Sequence, residues 1–253
     1  MNKKIDAFLA KHNFPVHLNI NAVIDALLCD MENGLTKSGL KAGEEMIPTY
    51  ALPPTTKPVN ETVIVIDAGG TNFRSCLVSF DACGKATISE MEKTCMPGVA
   101  RELSKREFFD QFATNLEHLK NKASKIGFCF SYPMQITDDG DGILNGFSKE
   151  VKAPEVVGCK IGACLSDALV EHGWNRPTKI SLLNDTVAAL LARASQCGDG
   201  FDYSSYIGFI LGTGMNLAYI QPEMPNLKKQ IIVCESGKFD KVIASDFDRE
   251  LDA

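Results

Sequence analysis

Four consecutive β-branched residues, Val63-Ile64-Val65-Ile66, form the densest apolar run, and they predict a strand buried on both faces. The run passes into Asp67 and then the pair Gly69-Gly70, after which residues 73–80 predict a second strand, so the glycines sit in a hairpin turn. A third strand is predicted over 86–93, and Phe108, Phe109, Phe112, Leu116 and Leu119 recur at helical spacing over 105–123. Further on, the pattern predicts a strand at 125–131, a helix at 161–173, a strand at 179–183 and a helix at 187–195. Two more strands follow at 206–211 and 217–220. Before all of these, Ile20, Val23, Ile24, Leu27 and Leu28 mark residues 1–40 as helical, and the proline-rich stretch 51–58 reads as a connector.

The order of three strands, a helix and a strand departs from the alternation of a Rossmann domain and suits an α/β fold with a ribonuclease H-like mixed sheet. Composition narrows the function classes. With 253 residues, 45% hydrophobic and 23% charged, the chain has the make-up of a globular protein of one large or two small domains. A net charge of −6 argues against a nucleic-acid or anionic-membrane surface. No apolar run is long enough to span a bilayer, and the charged, amphipathic start lacks a signal-peptide core. Nine dispersed cysteines without a CxxC pair read as reduced core thiols, and the four isolated histidines offer no transition-metal centre, so the expected location is cytoplasmic. Asp138, Asp139 and Asp141 lie in a loop or hairpin tip at 137–146 that lacks the glutamate of an EF-hand.

Candidate chemistry collects where strands end. The turn after Asp67 has two readings. As a phosphate turn, its glycines allow close backbone approach, Thr71, Asn72 and the backbone amides donate to phosphate oxygens, Arg74 adds charge, and Asp67 holds a hydrated magnesium. As a plain tight turn, it merely contains polar residues. It is neither a Walker A loop nor a Rossmann fingerprint. Asn184-Asp185-Thr186 opens a helix, where capping explains one of the two leading polar side chains but not obviously both. A second small-residue turn, Gly212-Thr213-Gly214, again joins two strands, and this repetition strengthens the phosphate reading of both turns.

Taken together, these stretches resemble the hexokinase family of the actin-like ATPase superfamily. Residues 67–74 resemble its first phosphate motif, with Ala68 where leucine is usual, and 211–216 its second. Residues 183–187 are similar to the segment that carries the catalytic aspartate. Ser131-Tyr132-Pro133 and Phe147-Ser148-Lys149 resemble the sugar-contacting loops, although threonine usually precedes the lysine and Glu150 stands where glycine is usual. Cys234-Glu235-Ser236-Gly237 matches the glutamate segment without its tryptophan, and 246–252 is also similar.

The resemblance implies ATP and Mg2+ as co-substrate and cofactor, and a small-molecule hexose as acceptor. Asp185 would be the general base toward the sugar 6-hydroxyl, a role a carboxylate fills by accepting a proton during attack on the γ-phosphoryl group. Lys149 would steady developing charge and, with Asp185, hold the sugar. Ser131, Ser148, Asn184, Asn216 and Glu235 would bind sugar hydroxyls. Asp67, Gly69, Gly70, Thr71, Asn72 and Arg74, with Gly212, Thr213 and Gly214, would hold the nucleotide phosphates, and Asp67 the metal. The same resemblance divides the chain into N-terminal helices and connector (1–60), a small domain (61–203) and the beginning of a large domain (204–253). Because such kinases run further, this polypeptide alone is expected to phosphorylate sugar poorly, the remainder being supplied by self-association or by a further C-terminal portion. The strands at 206–211 and 217–220 are expected to lack neighbours. A non-catalytic sugar-binding protein is the second reading, opposed by the retention of both Asp67 and Asp185. Another actin-like ATPase is the third, opposed by Lys149, Asn216 and Glu235.

Overall fold

The helical spacing near the N-terminus and the β-branched runs after the connector fall into two compact units, Met1–Met46 with Cys234–Ala253, and Ile47–Val233. The structure is a computed structural model that describes residues 3–37, 42–147, 150–194, 203–212 and 214–252.

In the first unit, helix α1 (Lys3–Lys11) precedes α2 (Ile20–Thr36). Asn19 caps α2 by accepting from the Ala22 amide at 3.2 Å, and Lys37, with φ 48°, ends it. Asp30 is buried on α2 because its Oδ2 accepts from the amides of Gly43 (2.9 Å) and Glu44 (3.0 Å), which ties the following segment to the helix. Glu44 is only 1% exposed, and neither of its carboxylate oxygens has a hydrogen-bond partner among the described residues. Burial, and secondarily the charge of Asp30, raise its pKa from 4.5 to about 7. A capping box of Ser245 and Asp248 starts the terminal helix Asp246–Leu251, whose Asp246 accepts from the Asn13 side chain at 3.0 Å.

In the second unit, β1 (Ile47–Pro48) is followed by the irregular connector and then by β2 (Glu61–Ala68), β3 (Asn72–Phe80) and β4 (Ala86–Cys95). Next come α3 (Lys105–Asn115), β5 (Lys125–Phe130), the hairpin β6 (Met134–Ile136) and β7 (Gly142–Leu144), and α4 (Ile161–Glu171). The unit is completed by β8 (Lys179–Leu183), α5 (Asp185–Ala194), β9 (Ile207–Leu211), β10 (Met215–Gln221) and β11 (Gln230–Val233). The first sheet has the order β4-β3-β2-β5-β8. Its β2–β3 and β3–β4 pairs are antiparallel, and its β2–β5 and β5–β8 pairs parallel. This is the mixed sheet anticipated from the element order.

One detail of β2 differs from expectation. Ile64, Ile66 and Ala68 are fully buried, whereas Val63 and Val65 are only half-buried. The buried set packs with Phe108, Phe109 and Phe112 of α3 and Leu165 and Leu169 of α4, so the two helices seal one face of the strand more completely than the other. The acidic loop is structural. Asp141 is buried, and its carboxylate accepts from the amides of Gly162 (2.7 Å) and Ala163 (3.0 Å), capping α4 from another element. No group of three or more potential metal ligands forms among the described residues.

The second sheet has the order β1-β11-β10-β9, antiparallel throughout. The expectation that its strands lack neighbours therefore fails for β10, which lies between β9 and β11. The short run Gln230–Val233 follows a proline- and asparagine-bearing loop and gave no periodic signal. Among the described residues the expectation holds for the outer edge of β9, the last strand in that order, whose Ile207, Phe209 and Leu211 are 70%, 53% and 74% exposed. Helix α5 covers this sheet through Val187, Leu190 and Ala194 against Ala218, Ile231 and Val233. Gly208 permits the approach, since a Cβ there would lie 2.1 Å from the Thr186 carbonyl oxygen.

Two stability measurements follow from these contacts. Gly208→Ala forces the first turn of α5 away from β9, and such overpacking is expected to cost about 1–3 kcal/mol in denaturant unfolding. Below pH 4.5 Glu44 is protonated in both folded and unfolded chains. As pH rises toward about 7 only the unfolded chain ionises, so stability falls. The full loss corresponds to about 3 kcal/mol. Glu44→Gln should flatten this decline between pH 5 and 8; an unchanged slope would show that Glu44 does not carry it.

Candidate active site

The parallel register decides which residues meet. Asp67 of β2 pairs with Cys129 of β5, and Cys129 with Leu183 of β8. The segments that leave these strands, Ala68-Gly69, Ser131 and Asn184-Asp185, therefore emerge along one carboxyl edge. With strands about 4.8 Å apart, Asp67 lies about 10 Å from Leu183, a span that suits a small polar ligand.

The first turn is held from several sides. The Gly69 amide donates to the Asn72 carbonyl (3.0 Å), the Met96 amide to that of Thr71 (3.0 Å), and the Ser131 amide to that of Ala68 (3.1 Å). Asn72 Nδ2 donates to Thr71 Oγ1 at 3.1 Å. Gly70 lies between, half-buried. The Tyr132 hydroxyl, on a ring otherwise buried, donates to the Gly69 carbonyl at 2.9 Å, and burial pushes its phenol well above the usual range. That ring stands in an aromatic series through Phe112, Phe128 and Phe130, and it packs edge-on against Phe147 at 5.1 Å. The hydrophobic core thus fixes the turn. Tyr132 was legible only as part of a motif; its hydrogen bond to a turn 63 residues earlier has no local signal.

Neither Gly69 nor Gly212 adopts the left-handed backbone that glycine takes readily. The remaining reason for small residues is space. Among the described residues a Cβ on Gly212 or Gly214 would meet nothing within 4 Å, and one on Gly69 only the Asn72 carbonyl at 3.9 Å. A ligand can therefore approach the backbone closely.

Arg74 and Asp67 form an ion pair at 2.7 Å, each about half exposed. The cation that could meet a phosphate thus stands beside the carboxylate that could meet a metal. A single carboxylate fits magnesium, which keeps most of its waters.

At the start of α5, Asn184 Oδ1 accepts from the Thr186 amide (2.9 Å) and from the Thr186 hydroxyl, and Asp185 Oδ1 accepts from the same amide at 2.8 Å. Capping thus engages one oxygen of each side chain, more than the sequence alone accounted for. In the second turn the Gly212 amide donates to the Gly214 carbonyl at 2.9 Å, and Asn216 Oδ1 accepts from the Leu217 amide at 2.8 Å. Because Gly208 seats β9 on the first turn of α5, the strand leading to this second turn is anchored to the helix that begins with Asp185.

The structure therefore gathers Asp67, the first glycine turn, Ser131, Asn184 and Asp185 along one sheet edge. Glu235 belongs to the other compact unit, where it precedes the turn Ser236–Lys238 with φ 58°. Ser148, Lys149 and Thr213 lie outside the described residues.

Known proteins match this architecture. The family model described as Hexokinase matches residues 4–195. A chloroplastic hexokinase-4 of Oryza sativa subsp. japonica is 32% identical over 260 residues, covering 92% of this chain and 49% of that protein. Hexokinase-1 of Schizosaccharomyces pombe is 28% identical, with 93% and 50% covered. Among solved structures, a hexokinase from Schistosoma mansoni complexed with glucose aligns with a TM-score of 0.71 at 24% identity, over 92% of this chain and 54% of that one. The chain thus spans about half the length of the curated relatives it matches. Its mixed sheet, the ordered motifs along one sheet edge and the family match together identify it as a member of the hexokinase family.

Proposed function

We propose that the chain carries the catalytic half-site of an ATP-dependent hexose kinase that phosphorylates glucose, or a close relative, at the 6-hydroxyl. The observation that carries this reading is the convergence of Asp67 and Asp185 on one sheet edge, one beside a glycine turn and the other at a helix start. A protein that only bound sugar would need neither the phosphate turn nor a metal-binding carboxylate.

In this reading Asp185 accepts the proton as the sugar oxygen attacks the γ-phosphorus and the bond to the β-phosphate oxygen breaks. Asn184 and Asn216 bind ring hydroxyls, joined by Ser131, Ser148 and Glu235; a sugar that lacks one of those hydroxyls leaves a polar group unpaired, which favours the right substrate. Lys149 steadies charge on the transferred group. Gly69–Asn72 and Gly212–Gly214 approach the nucleotide phosphates through their backbone, and Arg74, oriented by Asp67, adds positive charge. Magnesium held at Asp67 would neutralise phosphate charge. The functional division at 60 and 203 belongs to the same proposal, as does a reducing, cytoplasmic setting, supported by the cysteines being free thiols among the described residues. No helix among the described residues is long and apolar enough to cross a membrane.

A coupled ADP-release assay with glucose, mannose and fructose, run beside calorimetry, tests the reading. The chain alone is expected to bind glucose saturably and to turn over slowly or not at all. Wherever turnover is measurable, Asp185→Ala should lower it by about 10²–10⁴-fold while sugar binding persists. Failure to bind any hexose, with no turnover, would overturn the proposal. Asp67→Asn should weaken Mg-nucleotide binding with little change in thermal stability, because an ion pair this exposed is worth about 0–1 kcal/mol.

A further inference from the structure

Away from the sheet edge, the segment that enters α4 brings together two thiols and a cation. Cys159 directly precedes Lys160, the N-cap of α4, and Cys164 is the fourth residue inside the helix. These are the two positions that a hydrophobic staple places in contact, because the chain entering a helix folds back over its first turn. Here both are cysteines. The two thiols lie within interaction range of one another and of the ammonium of Lys105, the first residue of α3.

The backbone around them is well anchored. The Cys164 amide donates to the Lys160 carbonyl (3.1 Å), the Cys159 amide to that of Val156 (3.1 Å), and the Leu144 amide to that of Cys159 (3.1 Å). Lys105 is positioned as well, its backbone amide donating to Glu155 Oε2 at 2.9 Å. The Cys159 thiol donates to the Glu155 carbonyl at 3.5 Å. Neither cysteine is fully buried, so small oxidants reach them.

We propose that Cys159 and Cys164 form a reversible oxidation site, in which a peroxide converts the staple into an intramolecular disulfide. Lys105 favours the thiolate, the reactive form. Burial holds the Cys164 thiol above its usual range, which makes it the poorer first nucleophile, and the attack is assigned to Cys159. The Cys159 thiolate attacks a peroxide oxygen, the O–O bond breaks, and the hydroxide released takes a proton to become water, which leaves a sulfenic acid. The Cys164 sulfur then attacks the Cys159 sulfur. The S–O bond breaks, and the departing oxygen leaves as a second water with the Cys164 proton. Two thiols lose two electrons and hydrogen peroxide is reduced to two waters; a dithiol reductant reverses the change.

The sequence supplies a clean readout, because Lys160 separates the two cysteines. Trypsin leaves Cys159 in peptide 153–160 and Cys164 in peptide 161–179, each with a single cysteine. The intact chain is treated with substoichiometric hydrogen peroxide, alkylated, digested without reductant and analysed by mass spectrometry. The expected product is the two peptides joined, two hydrogens lighter than their sum, and separated again by dithiothreitol. Cys164→Ser should replace the link with a sulfenic acid at Cys159 that dimedone traps, and Lys105→Met should slow formation of the link. Urea-unfolded chain, which has no staple, should lose the preference for this pair over other cysteines. Recovery of both peptides as separate alkylated thiols would overturn the proposal, as would sulfinic acid at Cys159 in place of the link. Equal linkage rates for the wild type and the Lys105 variant would remove Lys105 from it.

Discussion

The parallel pairing of β2, β5 and β8 is the constraint on which the rest depends. Parallel strands run in the same direction, so whatever follows each of them leaves from the same edge of the sheet. The register Asp67, Cys129, Leu183 then puts a glycine turn, a serine loop and a helix start side by side, although the three are separated by some 60 residues each along the chain. Everything else supports that edge. The α3 and α4 layer holds the strands, α3 through a continuous aromatic core and α4 through Leu165 and Leu169, and the aromatic core reaches the site itself through Tyr132, whose hydroxyl holds the Gly69 carbonyl.

Helix α5 links this edge to the second sheet. It begins at Asp185, directly after β8, yet it buries Val187, Leu190 and Ala194 against β10 and β11, which come later in the chain. Gly208 is what makes the approach close. A methyl group there would meet a backbone carbonyl, which cannot move aside as a flexible side chain can. A residue with no chemistry of its own therefore governs how the helix that opens with Asp185 seats on the strand that leads to the second glycine turn.

Buried polar groups in this protein are treated in contrasting ways. Asp141 and Asp30 each accept two or more backbone amides, Asp141 capping α4 and Asp30 tying residues 43 and 44 to α2, which offsets the desolvation of a charge. The Glu44 carboxylate lies beside Asp30 with no hydrogen-bond partner among the described residues and holds its proton to higher pH. The dithiol at the entry to α4 is different again: staple positions normally filled by apolar side chains hold two sulfurs, a packing contact with redox chemistry available to it.

Local chemistry made much of this legible. The β-branched run of β2, the phenylalanine spacing of α3 and the polar start of α5 each carry their own periodic or capping signal, and the ordered motifs point to the family. The sequence also suggested that β2 is buried equally on both faces. The structure revises this, because burial depends on what lies across the sheet. Asp141 read as part of an acidic loop, since its partner amides lie more than 20 residues away. Strand β11 was silent because four residues are too short for a pattern. The sequence by itself determined which residue types stand at the ends of strands, since identity and spacing are local. Only the tertiary structure decided which of those ends meet, because strand register, close helix approach and long-range capping arise from contacts between segments that the chain order does not encode.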